Sequence, residues 1–529
     1  MAITFFFLSI LSLLQPTLAA FGITTVGNAF AVDTAGGLVF HVSKATGDIT
    51  SLMYRGTQYQ ASDKQTQINS GLGASSVSSR MVGANYAVIT VKSNGNPVTQ
   101  YYIAKSGDSK IYMGTDIRGE VQPGELRFLA RLRKGPLPNG VHHPSADNAG
   151  GTAIEGKDVF KVGSQTRCKF FSSTRFIDDV VHSIHGNNVS VSLIMPEGAY
   201  ETASGGPFMR DINNQGTSDQ QEFYYYMNSG HLRTEPWRMG FKGPYALSFS
   251  REDPNGKLDT SFFEKLNIPG YVPASGRGHV TGTASGVPLK FQTVLHWHNP
   301  QNQYWTYADK SGTFKSPAMK PGTYTMILYK QEYKVATSSV TVRAGASTSA
   351  NIANAEKPYT PVWRVGEFDG QPFELKNGDR FLKMHPSDSR LSKWGGTFTV
   401  GTSSAKDFPM AIFGKEGGPA TVNFSLNATN ANGAFTLRVG TTLSFKGGRP
   451  QPKIGAWTPP PPKVPRDLNS RGITRGGYRG LGEVYDFAIP AGTLKAGPNT
   501  LTLGVAGTGD QGYLSANYIV DAVELIHGK

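Results

Sequence analysis

Tyr86–Lys92 reads YAVITVK and Asn188–Met195 reads NVSVSLIM. In both, apolar residues alternate with small polar ones, the period-two signature of a half-buried strand. Gly, Asn and Asp punctuate such segments from Ala20 to about Asn267, and helical periodicity is scarce. The pattern predicts a large antiparallel β-sandwich. Outward from it, the Pro/Gly stretch IPGYVPA at Ile268–Ala274 marks a boundary. The next segment, to about Ser349, holds successive short strands and has the size of a fibronectin- or immunoglobulin-like sandwich. A small, polar linker at Ala346–Pro361 precedes a third strand-rich region, which opens at Trp363 and closes with ANYIVDAVELI at Ala516–Ile526. A jelly roll is expected there. The expected class is all-β, with domains at 20–267, 268–350 and 351–529.

Composition agrees. At roughly 150 residues per domain, 529 residues suggest about three domains. Only 17% of residues are charged, too few for a disordered or coiled-coil chain. Lys and Arg outnumber Asp and Glu by 52 to 38, for a net charge of +14. Such a surface suits a polyanion. The lack of a long basic run argues against nucleic acid and leaves an acidic polysaccharide or an anionic surface. Residues 1–19 of MAITFFFLSILSLLQPTLAA read as a signal peptide cleaved before Ala20, although its start lacks Lys and Arg. Its apolar run is short for a membrane span. Sequons at Asn188, Asn423 and Asn427 agree with a secreted, extracellular protein. The single cysteine, Cys168, excludes an internal disulfide and any Cys-based metal cluster.

Three segments carry candidate chemistry. In LRFLARLRK (Leu126–Lys134), strand alternation puts Leu126, Phe128, Ala130 and Leu132 on one face and Arg127, Leu129, Arg131 and Arg133 on the other. Three arginines on one face form a carboxylate receptor, or else an ordinary solvated surface. In TRCKFF (Thr166–Phe171), an extended strand would align Arg167, Lys169 and Phe171. A cation beside Lys169 lowers its pKa, as a lysine base near neutral pH requires; the plain alternative is two surface cations. In EFYYYMNSGH (Glu222–His231), Glu222, Tyr224, Tyr226 and Asn228 share one face ahead of a Gly turn and His231. That suits a sugar site, or a well-packed tyrosine strand with a surface His. His142-His143 sits in a Pro/Gly/Asn loop and reads as a plain loop rather than a metal site, and the His296/His298 pair lacks an acidic third ligand nearby. Gly477–Gly482 only imitates a dinucleotide fingerprint, because no βαβ pattern surrounds it.

The three segments in this order, GELRFLARLRKGPLPNG, GSQTRCKFFSSTRFIDD and QEFYYYMNSGH, together with WRVGEFDGQPFELKNGDRFLKMHPSDSR, resemble the fungal rhamnogalacturonan lyases of polysaccharide lyase family 4. The likeness spans essentially the whole mature chain. It implies a catalytic β-sandwich, a fibronectin-like domain and a carbohydrate-binding-like jelly roll. It also implies an endolyase that cuts the rhamnose-α-1,4-galacturonate bonds of the rhamnogalacturonan I backbone by β-elimination. On the matching positions, the resemblance implies Lys169 as base, His231 as acid and Arg127 as carboxylate partner. Arg131 and Arg167 would assist, and Tyr224 and Tyr226 would hold sugar rings. Neither a redox cofactor nor a catalytic metal is expected, a structural calcium in the jelly roll is allowed, and the protein is expected to act as a monomer without nucleic-acid or membrane partners. Two alternatives from other classes stay open: a glycoside hydrolase using Asp178, Glu222 or Glu125, and a non-catalytic wall-binding protein.

Overall fold

A computed structural model describes residues 20–528 apart from 382, 430, 432, 466–471 and 510. The expected signal peptide, 1–19, lies outside the described residues. Both stretches read first as strands, Tyr86–Lys92 and Asn188–Met195, fall in one seven-stranded antiparallel sheet, as Tyr86–Ser93 and Val189–Ile194. A second, four-stranded sheet packs against it, in the order Asn214–Thr217, Gln220–Asn228, Leu126–Arg133, Gln67–Ile68. Phe128 and Tyr225 meet Tyr245 of the larger sheet at ring separations of 6.0 and 4.7 Å, which seals the sandwich core. A five-stranded meander, Gly22–Gln58, completes this domain.

Leu126–Arg133 alternates as the sequence predicts. Leu126, Phe128, Ala130 and Leu132 are fully buried, while Arg127, Arg131 and Arg133 face outward. The strand pairs antiparallel with the tyrosine strand, setting Arg127 opposite Tyr226, Leu129 opposite Tyr224 and Arg131 opposite Glu222. Over this outward face lies a three-stranded sheet formed by Thr152–Glu155, Val159–Val162 and Gln165–Cys168. Leu129, Val159, Cys168, Phe170, Ile212, Tyr224 and Tyr226 form a small separate core between the two layers.

Two further sandwiches follow. The middle one packs two four-stranded sheets around Trp297, Phe314, Tyr324 and Met326. In the last, the closing strand Asn517–His527 lies between Trp363–Gly366 and Phe435–Phe445. The expected all-β, three-sandwich architecture is present. Among the sequons, Asn188 and Asn427 are exposed, whereas Asn423 sits within a strand and accepts a hydrogen bond from Thr500 at 3.0 Å.

The domains are joined by buried polar contacts. Glu201 of the first domain receives Arg277 at 2.7 Å, Tyr304 at 2.8 Å and Lys320 at 2.9 Å from the second. A carboxylate this buried requires such partners. The third domain grips the three-stranded sheet: the Thr166 backbone N–H and hydroxyl both donate to Asp388 at 2.7 Å, and Thr474 donates to Glu155 at 2.9 Å.

Candidate active site

Lys169 does not continue the strand before it. The strand ends at Cys168, and Lys169–Ser172 forms one 3₁₀ turn. The Ser172 hydroxyl donates to the Lys169 carbonyl at 3.0 Å and accepts the backbone N–H groups of Asn213 and Asn214 at 3.0 and 2.9 Å. These bonds pin the turn to the edge of the four-stranded sheet and break the expected alignment of Arg167, Lys169 and Phe171. Arg167 instead donates to Gln165 at 2.8 Å. The cations that act most on Lys169 are Arg127 and Arg131, reaching it from the neighbouring sheet. The expectation that Arg167 tunes the lysine is therefore corrected: a strand-period argument fails where the backbone turns.

Burial is the largest cause that lowers the Lys169 pKa, and Arg127 and Arg131 lower it further, while Glu222 and Asp158 pull it upward. The amine stands 3.7 Å from Asp158 Oδ1. Its side chain is 14% exposed, beside 16% for Arg127 and 15% for His231. All three are largely desolvated yet keep some contact with solvent.

Arg127 is held by its own strand and the next. Its Nη1 is bonded to Glu125 and donates to the Tyr226 hydroxyl at 3.0 Å. The guanidinium carbon lies 5.5 Å from the Tyr226 ring and 5.8 Å from the Tyr224 ring, a cation–π arrangement. Arg131 Nη1 is bonded to Glu222, which also accepts the Tyr224 hydroxyl. The arginine face is thus no bare receptor, since each guanidinium has one nitrogen tied to a carboxylate. Burial raises the Glu222 pKa, but Lys169 and Arg131 outweigh it and hold Glu222 ionised.

Tyr224 and Tyr226 are each only 4% exposed. The sequence suggests aromatic platforms for sugar rings. The structure corrects this, because the turn carrying Phe170 covers them. Their hydroxyls position Glu222 and Arg127 instead.

His231 follows the tyrosine strand on a Ser–Gly turn, with its N–H donating to Ser229 Oγ at 3.1 Å. Its Nδ1 lies 3.1 and 3.2 Å from the two carboxylate oxygens of Asp211, and its Nε2 lies 3.9 Å from Glu125. Phe170 meets the ring edge-on at 5.1 Å. A buried carboxylate at Nδ1 fixes the orientation and tautomer of the ring. Asp211 and Asp158 were not singled out from the sequence, because single acids far apart along the chain leave no local pattern, and Glu125 was considered only as a hydrolase carboxylate. The fold gathers Lys169, His231 and Arg127 into one cluster, linked through Phe170, Tyr226 and Glu125.

Other positions gather nothing comparable. His143 is 3.7 Å from Asp147, and His296 and His298 stack at 5.1 Å in the middle domain. Among the described residues no group of three or more His, Cys, Asp or Glu side chains is placed to hold a metal ion. The Cys168 thiol donates to the Arg475 carbonyl at 2.9 Å, and burial pushes its pKa upward. It serves the inter-domain contact.

Comparison with known proteins accounts for nearly the whole chain. Residues 21–270 match the family model described as rhamnogalacturonan lyase B, N-terminal; 276–350 match polysaccharide lyase family 4, domain II; and 361–525 match domain III of the same family. The chain belongs to polysaccharide lyase family 4. Rhamnogalacturonate lyase A of Aspergillus aculeatus is 52% identical, with 96% of each chain covered. Rhamnogalacturonate lyase A of Emericella nidulans is 50% identical over 96% of each. Among solved structures, a Paenibacillus xanthan lyase aligns with 96% of this chain and 52% of its own, at 9% identity and a TM-score of 0.24, too remote to inform the reading of a family 4 site.

Proposed function

We propose that this family 4 protein is a secreted, monomeric lyase that cleaves the rhamnose-α-1,4-galacturonate bonds of the rhamnogalacturonan I backbone by β-elimination. The observation that carries this reading is a desolvated lysine, flanked by two guanidiniums, in one cluster with a carboxylate-anchored histidine. Neutral Lys169 takes the C5 proton of galacturonate. The C5–H electron pair forms the C4–C5 double bond, and the C4–O4 bond breaks. His231, protonated and held by Asp211, delivers a proton to the departing oxygen. Charge that builds on the uronate carboxylate is offset by Arg127, assisted by Arg131. One nitrogen of each fork is already committed to a glutamate, and among the described residues no hydrogen bond holds either Nη2. Burial pushes the Tyr226 hydroxyl pKa well up, which makes it a poorer acid than an imidazolium and favours His231 for that step. The elimination requires no redox cofactor, since no electrons leave the substrate. Secretion is supported by the leader-like residues 1–19 and by the finding that no described helix is long and apolar enough to cross a membrane.

A glycoside hydrolase would need two carboxylates at about 5–5.5 or 6.5–9.5 Å, one of them raised in pKa to act as acid. Glu222 is shifted the other way, Glu125 is bonded to Arg127, and Asp178 is paired with Arg175 at 2.7 Å. Product analysis on purified backbone polymer separates the readings. Elimination yields ends that absorb in the ultraviolet, hydrolysis yields saturated ends heavier by one water, and a binding protein leaves chain length unchanged.

A further inference from the structure

The turn that carries Lys169 also borders the third domain. Phe171, in the same 3₁₀ turn, lines an open cavity of about 520 Å³ whose other walls come from the third domain: Asp379, Arg380, Lys383, Met384 and Arg390. Two of these charges are already cancelled. Arg390 bonds Asp388 at 2.7 Å, and Asp379 lies 3.4 Å from Lys406. Arg380 and Lys383 have no ion pair among the described residues. Arg210, close enough to act on Lys383, donates to the Tyr478 hydroxyl at 2.8 Å and has no carboxylate partner there either.

Lys383 is also held unusually. Its φ of +68° lies in the left-handed region that a lysine rarely adopts, and its N–H is fixed to the Gly476 carbonyl at 2.9 Å. Burial and Arg210 lower its ammonium pKa to about 8. Asp179 opposes this, but it is engaged by His182 at 2.8 Å and Tyr200 at 3.1 Å, so the crowded cations still favour an added anion. The polymer offers such an anion at regular intervals, because its backbone alternates a neutral deoxy sugar with an acidic one. Arg127 and Arg131 act on Lys169, and the partly exposed Phe171 ring, in the same turn as that lysine, lines the cavity with Lys383 and Arg380.

We propose that Lys383 and Arg380 of the third domain form a second carboxylate subsite, which takes the galacturonate two sugars away from the one that Lys169 deprotonates. Phe171 lies under the intervening rhamnose, whose methyl group suits an aromatic face. The proposal rests on the lyase reading above and makes the third domain part of the substrate groove.

The test compares kcat/KM for a long rhamnogalacturonan oligosaccharide with that for the shortest one cleaved, followed by ultraviolet absorbance. In the wild type the long substrate is favoured. Lys383→Gln and, separately, Arg380→Ala lower the long-to-short ratio about tenfold through KM, and Lys383→Arg restores most of it. Added salt lowers the wild-type ratio and barely moves that of the variants. Arg380 is exposed, so its replacement decides the matter even if Lys383→Gln folds poorly. An unchanged ratio, or equal losses on both lengths, overturns the subsite. Absence of any ultraviolet-absorbing product from the wild type overturns the lyase reading instead.

Discussion

Lys169 stands between opposing influences: burial, Arg127 and Arg131 favour the neutral amine, and Glu222 and Asp158 favour the ammonium. Because the base must be neutral, kcat/KM should climb with pH through the depressed Lys169 value. Lys169→Ala should cost about 10²- to 10⁴-fold in turnover, measured as the rate of ultraviolet-absorbing product; a loss within tenfold removes the lysine from the role of base. Asp211→Asn keeps the shape beside His231 but removes the carboxylate that orients the ring. Turnover should fall by up to about 100-fold with KM nearly constant, a split that steady-state kinetics reads directly. Asp369, in the third domain, titrates against stability. Burial first, then the nearby charges of Glu374, Glu332 and Glu367, raise its pKa to about 7. The folded state therefore holds a proton that the unfolded chain releases near pH 4, and stability declines as pH rises from about 4 to about 7. Asp369→Asn should melt at a higher temperature than the wild type at pH 8 and at the same temperature near pH 4, by thermal denaturation at both.

At the scale of elements, the paired arginine and tyrosine strands do two jobs on two faces. Phe128 belongs to the sandwich core, and Phe170 to the small core beneath Lys169 and His231. Phe128→Ala should cost about 3–5 kcal/mol in chemical denaturation and leave turnover per folded molecule near that of the wild type. Phe170→Ala should cost a similar amount and also cut turnover, since it removes the ring that abuts His231. Comparable turnover in the two variants would mean that the small core does not position the site. The alternation of Arg127 and Arg131 with Phe128 and Ala130 was legible in the sequence because a strand repeats every two residues, as was the Tyr224/Tyr225 division. The break at Cys168 was not, since TRCKFF is equally compatible with a continuing strand. Nor was the closure over Tyr224 and Tyr226: burial of an outward face depends on a hairpin some 60 residues away in the chain. The carboxylates that tie up Arg127 and Arg131 were present in the quoted segments as Glu125 and Glu222, but spacing alone did not say that they turn toward the guanidiniums.

Across the whole molecule, the third domain reaches the lysine through Asp158. Arg475 Nη2 lies 3.0 Å from Asp158 Oδ2, and Asp158 Oδ1 faces the Lys169 amine. Arg475→Ala should release the Asp158 charge onto Lys169 and raise its pKa. The rising limb of the pH–rate profile then moves to higher pH, and kcat/KM at neutral pH falls while the limiting value at high pH is kept. An unmoved limb would show that Arg475 braces the interface without tuning the amine. The Thr166–Asp388 contact spans 222 residues of sequence. At about 10 residues per second, a ribosome needs roughly 20 s to make that interval. The first domain thus leaves the ribosome with the strand ahead of Lys169 unanchored until the third domain follows it. A chain truncated by premature termination would carry every acid–base group of the mechanism and still lack the scaffold that sets their protonation.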